Sequence, residues 1–167
     1  MNQRTFRQPE YLYRFTPCMK NLLTINESYR IGILEWGNQH QKDQAALKAT
    51  LDELNQRSQH GNVTAVEYQQ YDREVENLNL AKVGKQRLAT TLISEIEFEL
   101  PTLYGMFNDI MDDVAGDHLS PVNLNEFLSG YQAVIQALTD NNLYSYYPAP
   151  VAITEAIAKH LTQPVAS

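Results

Sequence analysis

The sequence predicts an all-α protein, an antiparallel helical hairpin followed by a compact C-terminal helical bundle. Three observations carry that prediction. Apolar residues recur at +3 and +4 spacing along most of the 167 residues. A helix stop and a helix start lie back to back between His60 and Glu67. The one short alternating segment, Ile96-Glu97-Phe98-Glu99-Leu100, has no partner strand elsewhere and continues the +4 series of Leu88, Leu92 and Ile96, so it reads as helix.

Residues 1–37 read as an N-terminal arm and short helices. The arm mixes Phe6, Tyr11, Tyr13 and Phe15 with Arg4, Arg7 and Arg14, without a clean period. Arginine beside aromatic residues suits nucleic-acid stacking, but three arginines over eleven residues favour packing instead. Thr16-Pro17 suits a helix start with proline at the first position. Leu22, Leu23, Ile25, Ile31, Ile33, Leu34 and Trp36 then form a dense apolar patch expected to be core.

Residues 38–100 form the hairpin, with its turn at 60–64. Leu47, Leu51 and Leu54 supply the stripe of its first helix. Gly61 takes the left-handed conformation that closes a helix, and Thr64 with Glu67 has capping-box spacing. Val63 and Tyr68 sit where a hydrophobic staple belongs. The second helix runs through Tyr68, Tyr71, Val75, Leu78 and Ala81. Lys82 and Lys85 interrupt its stripe, and Gly84 weakens it, so it either breaks there or continues as an unusually long helix. Residues 101–162 form the acidic bundle. Pro101 suits a new helix start, Gly116 its end, Ser120-Pro121 the cap of the next helix, and Asp140-Asn141-Asn142 its close. Pro148 and Pro150 introduce a last helix, and 163–167 is a flexible tail.

Charge is unevenly distributed. Leu88 to Ala158 holds no lysine or arginine but ten carboxylates. At a Lys+Arg usage of roughly 8%, so long a gap has a chance probability of about 0.3%. The chain to Arg87 carries twelve basic and ten acidic residues; the remainder carries one and ten, which gives the net −7. An acidic chain disfavours direct binding to nucleic acid or an anionic membrane. No apolar run reaches the ~18 residues of a membrane span, and Met1–Glu10 has no signal-peptide pattern. A lone Cys18 forbids an internal disulfide and fits the cytoplasm.

Chemistry has few candidates. Asp109 shares a helix face with Asp112 and Asp113, so these three are the metal candidates, with Mg²⁺ as the ion and a phosphorylated small molecule as substrate. Glu95 and Glu99 form a second +4 pair. The all-α nucleotide pyrophosphatases, however, use Glu-x-x-Glu and Glu-x-x-Asp, which is not the spacing here. A calcium loop fails as well, since Met111, Val114 or Ala115 would fall at its third position. His40, His60, His118 and His160 have no metal-ligand spacing. The leading expectation is therefore a non-catalytic adaptor, assembly factor or inhibitor without a cofactor. Its acidic half, through Glu95, Glu97, Glu99, Asp109, Asp112, Asp113 and Asp117, binds a protein partner with a basic surface. Tyr144, Tyr146 and Tyr147, in a proline-flanked loop, are the aromatic contacts. The alternatives are the Mg²⁺-dependent hydrolase and a structural component that self-assembles through Leu47, Leu51 and Leu54.

Overall fold

The computed structural model describes residues 10–161; Arg4, Arg7 and Phe6 of the expected arm and the 163–167 tail lie outside them. All regular structure among the described residues is helical: α1 (Tyr11–Tyr29), a six-residue π-helical turn (Arg30–Glu35), α2 (Trp36–Ser58), α3 (Ala65–Ala115), α4 (Pro121–Asp140) and α5 (Val151–His160). Ser28–Thr91 makes one compact unit, the hairpin. The described residues before it, together with those from Leu92 onward, make the other, the C-terminal unit. The two units meet along the chain at 27/28 and 91/92.

In the C-terminal unit, α1 is one 19-residue helix and not an arm with short helices. Tyr11, Phe15, Cys18, Leu22 and Ile25 recur at +4 and +3 and are all buried. The second half of α3 buries Leu92, Ile96, Leu100, Leu103, Phe107 and Ile110 at the same spacing. Each such side chain contributes about 1.5–3 kcal/mol by leaving water. Leu124, Leu128, Tyr131, Val134 and Leu138 from α4, with Ile153 from α5, complete the core. Aromatic rings join its layers edge to face: Phe15 stands 4.9 Å from Phe127 and 5.0 Å from Tyr131, and Tyr131 5.9 Å from Phe107. Gly130 lets α4 approach α1 closely, since a Cβ there would come within 2.7 Å of both Phe15 Cε1 and Met19 Sδ. A buried amide pair also crosses this core. Asn141 Nδ2 donates to the Asn26 carbonyl at 2.9 Å and to Asn26 Oδ1 at 3.1 Å.

Two expected helix starts are overturned. Pro17 lies inside α1 and Pro101 inside α3. Both ring positions are exposed, so the carbonyl that loses its helical donor four residues back lies on the hydrated side. The Gly116 stop is also displaced by one residue, because the left-handed residue is Asp117, at φ 59°. Three helices close on the same bonding pattern, at Gly61, Asp117 and Asn142. At Asp117, for example, its N–H reaches the Val114 carbonyl and the His118 N–H reaches Asp113.

In the hairpin unit, the turn follows the sequence reading. Gly61 has φ 71°, and its N–H and that of Asn62 close α2 on the carbonyls of Ser58 and Arg57. The Thr64 N–H donates to Glu67 Oε2 at 3.1 Å, and the Glu67 N–H returns to Thr64 Oγ1 at 3.4 Å. Arg57 ties both ends, donating to the Asn62 carbonyl at 3.0 Å and to Glu67 at 2.9 Å. α3 continues unbroken through Gly84, and 96–100 is helical.

The seam of this unit is thin. Leu54 is its one buried apolar residue; Leu47, Leu51, Tyr71, Val75 and Leu78 are half-buried. Lys82 and Lys85 continue the 3-4 spacing of Tyr71, Val75 and Leu78, so the apolar seam stops there. Nearby, His40 stacks on Trp36 at 4.5 Å, and the Lys85 ammonium lies 5.8 Å from the Trp36 ring. The apolar patch expected as one core is divided. Leu22 and Ile25 are buried, Leu23, Ile33, Leu34 and Trp36 are half-buried, and Ile31 is 51% exposed. The π-helical turn between them adds a residue to the helical repeat and rotates the apolar stripe.

Candidate functional site

The two units differ sharply in charge. Ser28–Thr91 contains eight basic and eight acidic residues. The described part of the C-terminal unit contains three basic residues (Arg14, Lys20, Lys159) and twelve acidic ones. Negative potential therefore belongs to one folded unit, and α3 carries most of it.

Successive residues of an α-helix turn by ~100°, so the core stripe of α3 through Ile96, Leu103 and Ile110 fixes where each carboxylate points. Glu95, Phe98, Thr102, Gly105, Asp109 and Asp112 follow one another at +3 and +4 along the outward stripe. Glu95, Asp109 and Asp112 are exposed, and Asp117 is exposed at the closing turn. Asp113, Glu99 and Glu97 lie nearer the neighbouring elements, and each accepts a neutral donor. The Tyr11 hydroxyl donates to Asp113. The Cys18 thiol donates to Glu99 at 3.3 Å. The Tyr147 hydroxyl donates to Glu97 at 2.7 Å.

These contacts mark the donors. Burial first, and then the Asp113 hydrogen bond, pushes the Tyr11 hydroxyl well above the usual phenol range. Burial followed by Glu99 raises the Cys18 thiol to about 12, which removes the nucleophile that a thiolate there would supply. Tyr131 is fully buried, and its hydroxyl donates to the Leu103 carbonyl at 2.6 Å.

The tyrosine loop divides. Tyr144 and Tyr147 pack within the unit: the Ala149 N–H donates to Tyr144 at 3.4 Å, and the Tyr104 hydroxyl donates to the Tyr147 carbonyl at 3.5 Å. Burial pushes Tyr104 up to about 12, with Tyr144 adding a smaller effect. Tyr146 is 74% exposed.

Asp109, Asp112 and Asp113 do not gather into a ligand set. Among the described residues, no three His, Cys, Asp or Glu side chains converge on a point where a metal ion would sit. Ion pairs likewise avoid the acidic half. Arg14 pairs with Glu10, Arg30 with Glu35 and Arg57 with Glu67, and among the described residues none of the ten carboxylates between Leu88 and Ala158 takes part in an ion pair. Of the leucines expected at an oligomer contact, Leu54 is buried, while Leu47 and Leu51 remain half-exposed at the seam. No protein-family model, curated protein or solved structure matches this chain.

Phe98 is the residue that sequence reasoning passed over. It is 77% exposed in the middle of the acidic stripe. Its signal was present in Ile96-Glu97-Phe98-Glu99-Leu100. On a helix, Phe98 lies about 200° from Ile96 and points away from the core that Ile96 and Leu100 share. No helix among the described residues is long and apolar enough to cross a membrane.

Proposed function

We propose that this is a non-catalytic protein–protein interaction protein, an adaptor, assembly factor or inhibitor, whose C-terminal unit docks on a basic surface of a partner protein. The observation that carries the reading is that, among the described residues, no Lys or Arg forms an ion pair with the ten carboxylates between Leu88 and Ala158. Tyrosine and thiol donors hold Asp113, Glu99 and Glu97 in position without bringing a compensating positive charge. A one-sign surface of this kind speeds encounter with an opposite partner by about 10- to 10³-fold and fixes its orientation. Phe98 and Tyr146 add exposed aromatic area of the sort that anchors interfaces.

The test is a partner recovered by crosslinking in cells and then measured in purified form. Its affinity for the wild-type chain should fall steeply with salt. The variant Glu95→Gln/Asp109→Asn/Asp112→Asn/Asp117→Asn should bind at least ten-fold more weakly and with a shallower salt slope. A complex indifferent to both salt and the four substitutions would overturn the proposal.

A further inference from the structure

A second surface lies on the hairpin, away from the acidic stripe in sequence and different in character. Two cavities of about 370 and 290 Å³ adjoin along the seam of α2 and α3, sharing Thr50 and Glu74 as walls. Together they form a groove whose floor is Leu47, Leu54 and Leu78 and whose rim carries Asp43, Glu53 and Glu74. The one basic residue lining it, Arg57, is already paired with Glu67. Asp43 accepts from the neutral amide of Gln39 at 3.1 Å, which leaves its charge uncancelled. The opposite side of the seam, a cavity of about 230 Å³, is lined by Lys48 and by no carboxylate. The unit as a whole is neutral, so acid on this face is a feature of the face and not of the composition.

We infer that this groove takes an amphipathic helix of a partner protein, with an apolar ridge flanked by lysine or arginine. Such a helix lays its apolar positions on the leucine floor and meets the three carboxylates with its flanks, the helix-in-groove mode of recognition. From Asp43 to Arg57 the groove runs about 21 Å at ~1.5 Å per residue, the length of a four-turn helix. Charge argues against a second copy of the same face as occupant. A two-fold pairing sets this surface against itself, so the acidic rim of Asp43, Glu53 and Glu74 on one copy would face the acidic rim of the other.

The experiment uses the full chain and three labelled synthetic peptides. One is an 18-residue Leu/Lys helix with leucines at i, i+3, i+4 and i+7; the second is a Leu/Glu counterpart of the same pattern; the third is a Lys/Ser peptide without an apolar ridge. Ala46→Arg fills the groove from an exposed helix position, and Glu53→Lys/Glu74→Lys reverses its rim; thermal unfolding checks that both variants fold. The Leu/Lys peptide should bind, protect 43–57 and 67–78 from hydrogen exchange, and lose at least ten-fold in affinity in either variant, while the Leu/Glu peptide stays unbound. If the Leu/Lys and Lys/Ser peptides bind alike and ignore both groove variants, the groove inference is overturned, whereas the acidic-surface proposal keeps its support. No binding of the Leu/Lys peptide overturns it as well. So does self-association by sedimentation that Ala46→Arg abolishes, since the groove would then belong to a second copy.

Discussion

Replacing Asn141 with alanine tests whether the core of the C-terminal unit depends on its one amide pair. Asn141 is 4% exposed and Asn26 2% exposed, so water does not compensate for lost bonds. The substitution removes both bonds from Nδ2 and leaves Asn26 Oδ1 buried without a donor. A buried polar atom left unpaired costs about 1–3 kcal/mol, and the vacated amide adds a cavity cost, so about 2–4 kcal/mol is expected in all. With a urea dependence of about 2 kcal/mol per molar, the middle of the usual range, the unfolding midpoint falls by roughly 1–2 M. Asn26→Ala should be milder, at about 1–2 kcal/mol. It loses the bond from Asn26 Nδ2 to the Leu22 carbonyl, but the Asn26 backbone carbonyl survives as an acceptor for Asn141. The double variant should show a coupling of about 0.5–1.5 kcal/mol, that of a single shared bond. Urea unfolding followed by far-ultraviolet circular dichroism measures all three. An Asn141→Ala midpoint within ~0.3 M of the parent would refute the reasoning, because the site would then have to be hydrated or able to collapse.

Other consequences are as direct. Gly84→Ala and Gly105→Ala meet no atom within 4 Å and should each stabilise by up to ~1 kcal/mol, whereas Gly130→Ala, forced against Phe15 and Met19, should destabilise by about 1–2 kcal/mol; thermal unfolding that ranks the three alike would contradict the packing described. Cys18, raised to about 12 from an ordinary 9.0, should react with a thiol reagent at pH 9 at least 100-fold more slowly folded than in urea. Because its folded value is the higher one, the stability it contributes is complete below pH 9 and is lost as pH climbs from 9 towards 12; a urea midpoint constant across that interval would count against it. Thr64→Ala should cost about 1 kcal/mol through the lost cap, read from the same unfolding curves. Arg57 and then the Thr64 N–H hold the Glu67 carboxyl below 4.5, so its contribution is present above that value and fades as pH falls further; Glu67→Gln should flatten this acid limb.

Local chemistry was legible in the sequence, and long-range pairing was not. Gly61, Thr64 with Glu67, and Ser120 before Pro121 act on groups within a few residues, so their spacing suffices to predict the turn and the two helix starts. Ser120 Oγ, for instance, accepts from the Asn123 N–H at 3.2 Å. Pro17 and Pro101 misled because the rule for proline holds for a helix considered alone. An exposed ring on a helix whose other face is buried is tolerated, and that depends on packing hundreds of atoms away in sequence. The partners of Asp113 and Glu99 are Tyr11 and Cys18, 102 and 81 residues distant, and no pattern announces them. The same holds for Asn26 and Asn141, two polar residues that composition assigns to the surface. Which of the carboxylates of α3 face outward required the register of that helix against its core.

Leu54 alone, among the apolar residues from Ser28 to Thr91, is withdrawn from water. Burying one leucine contributes a few kcal/mol at most, while each ordered residue costs about 1–2 kcal/mol of backbone entropy. The hairpin therefore belongs among the segments of lowest opening free energy and should fluctuate apart while the C-terminal unit stays closed. A helix seated in its groove would thus act as a missing third of a core. Its binding would be measured partly as folding, with a heat-capacity change more negative than the contact area alone accounts for.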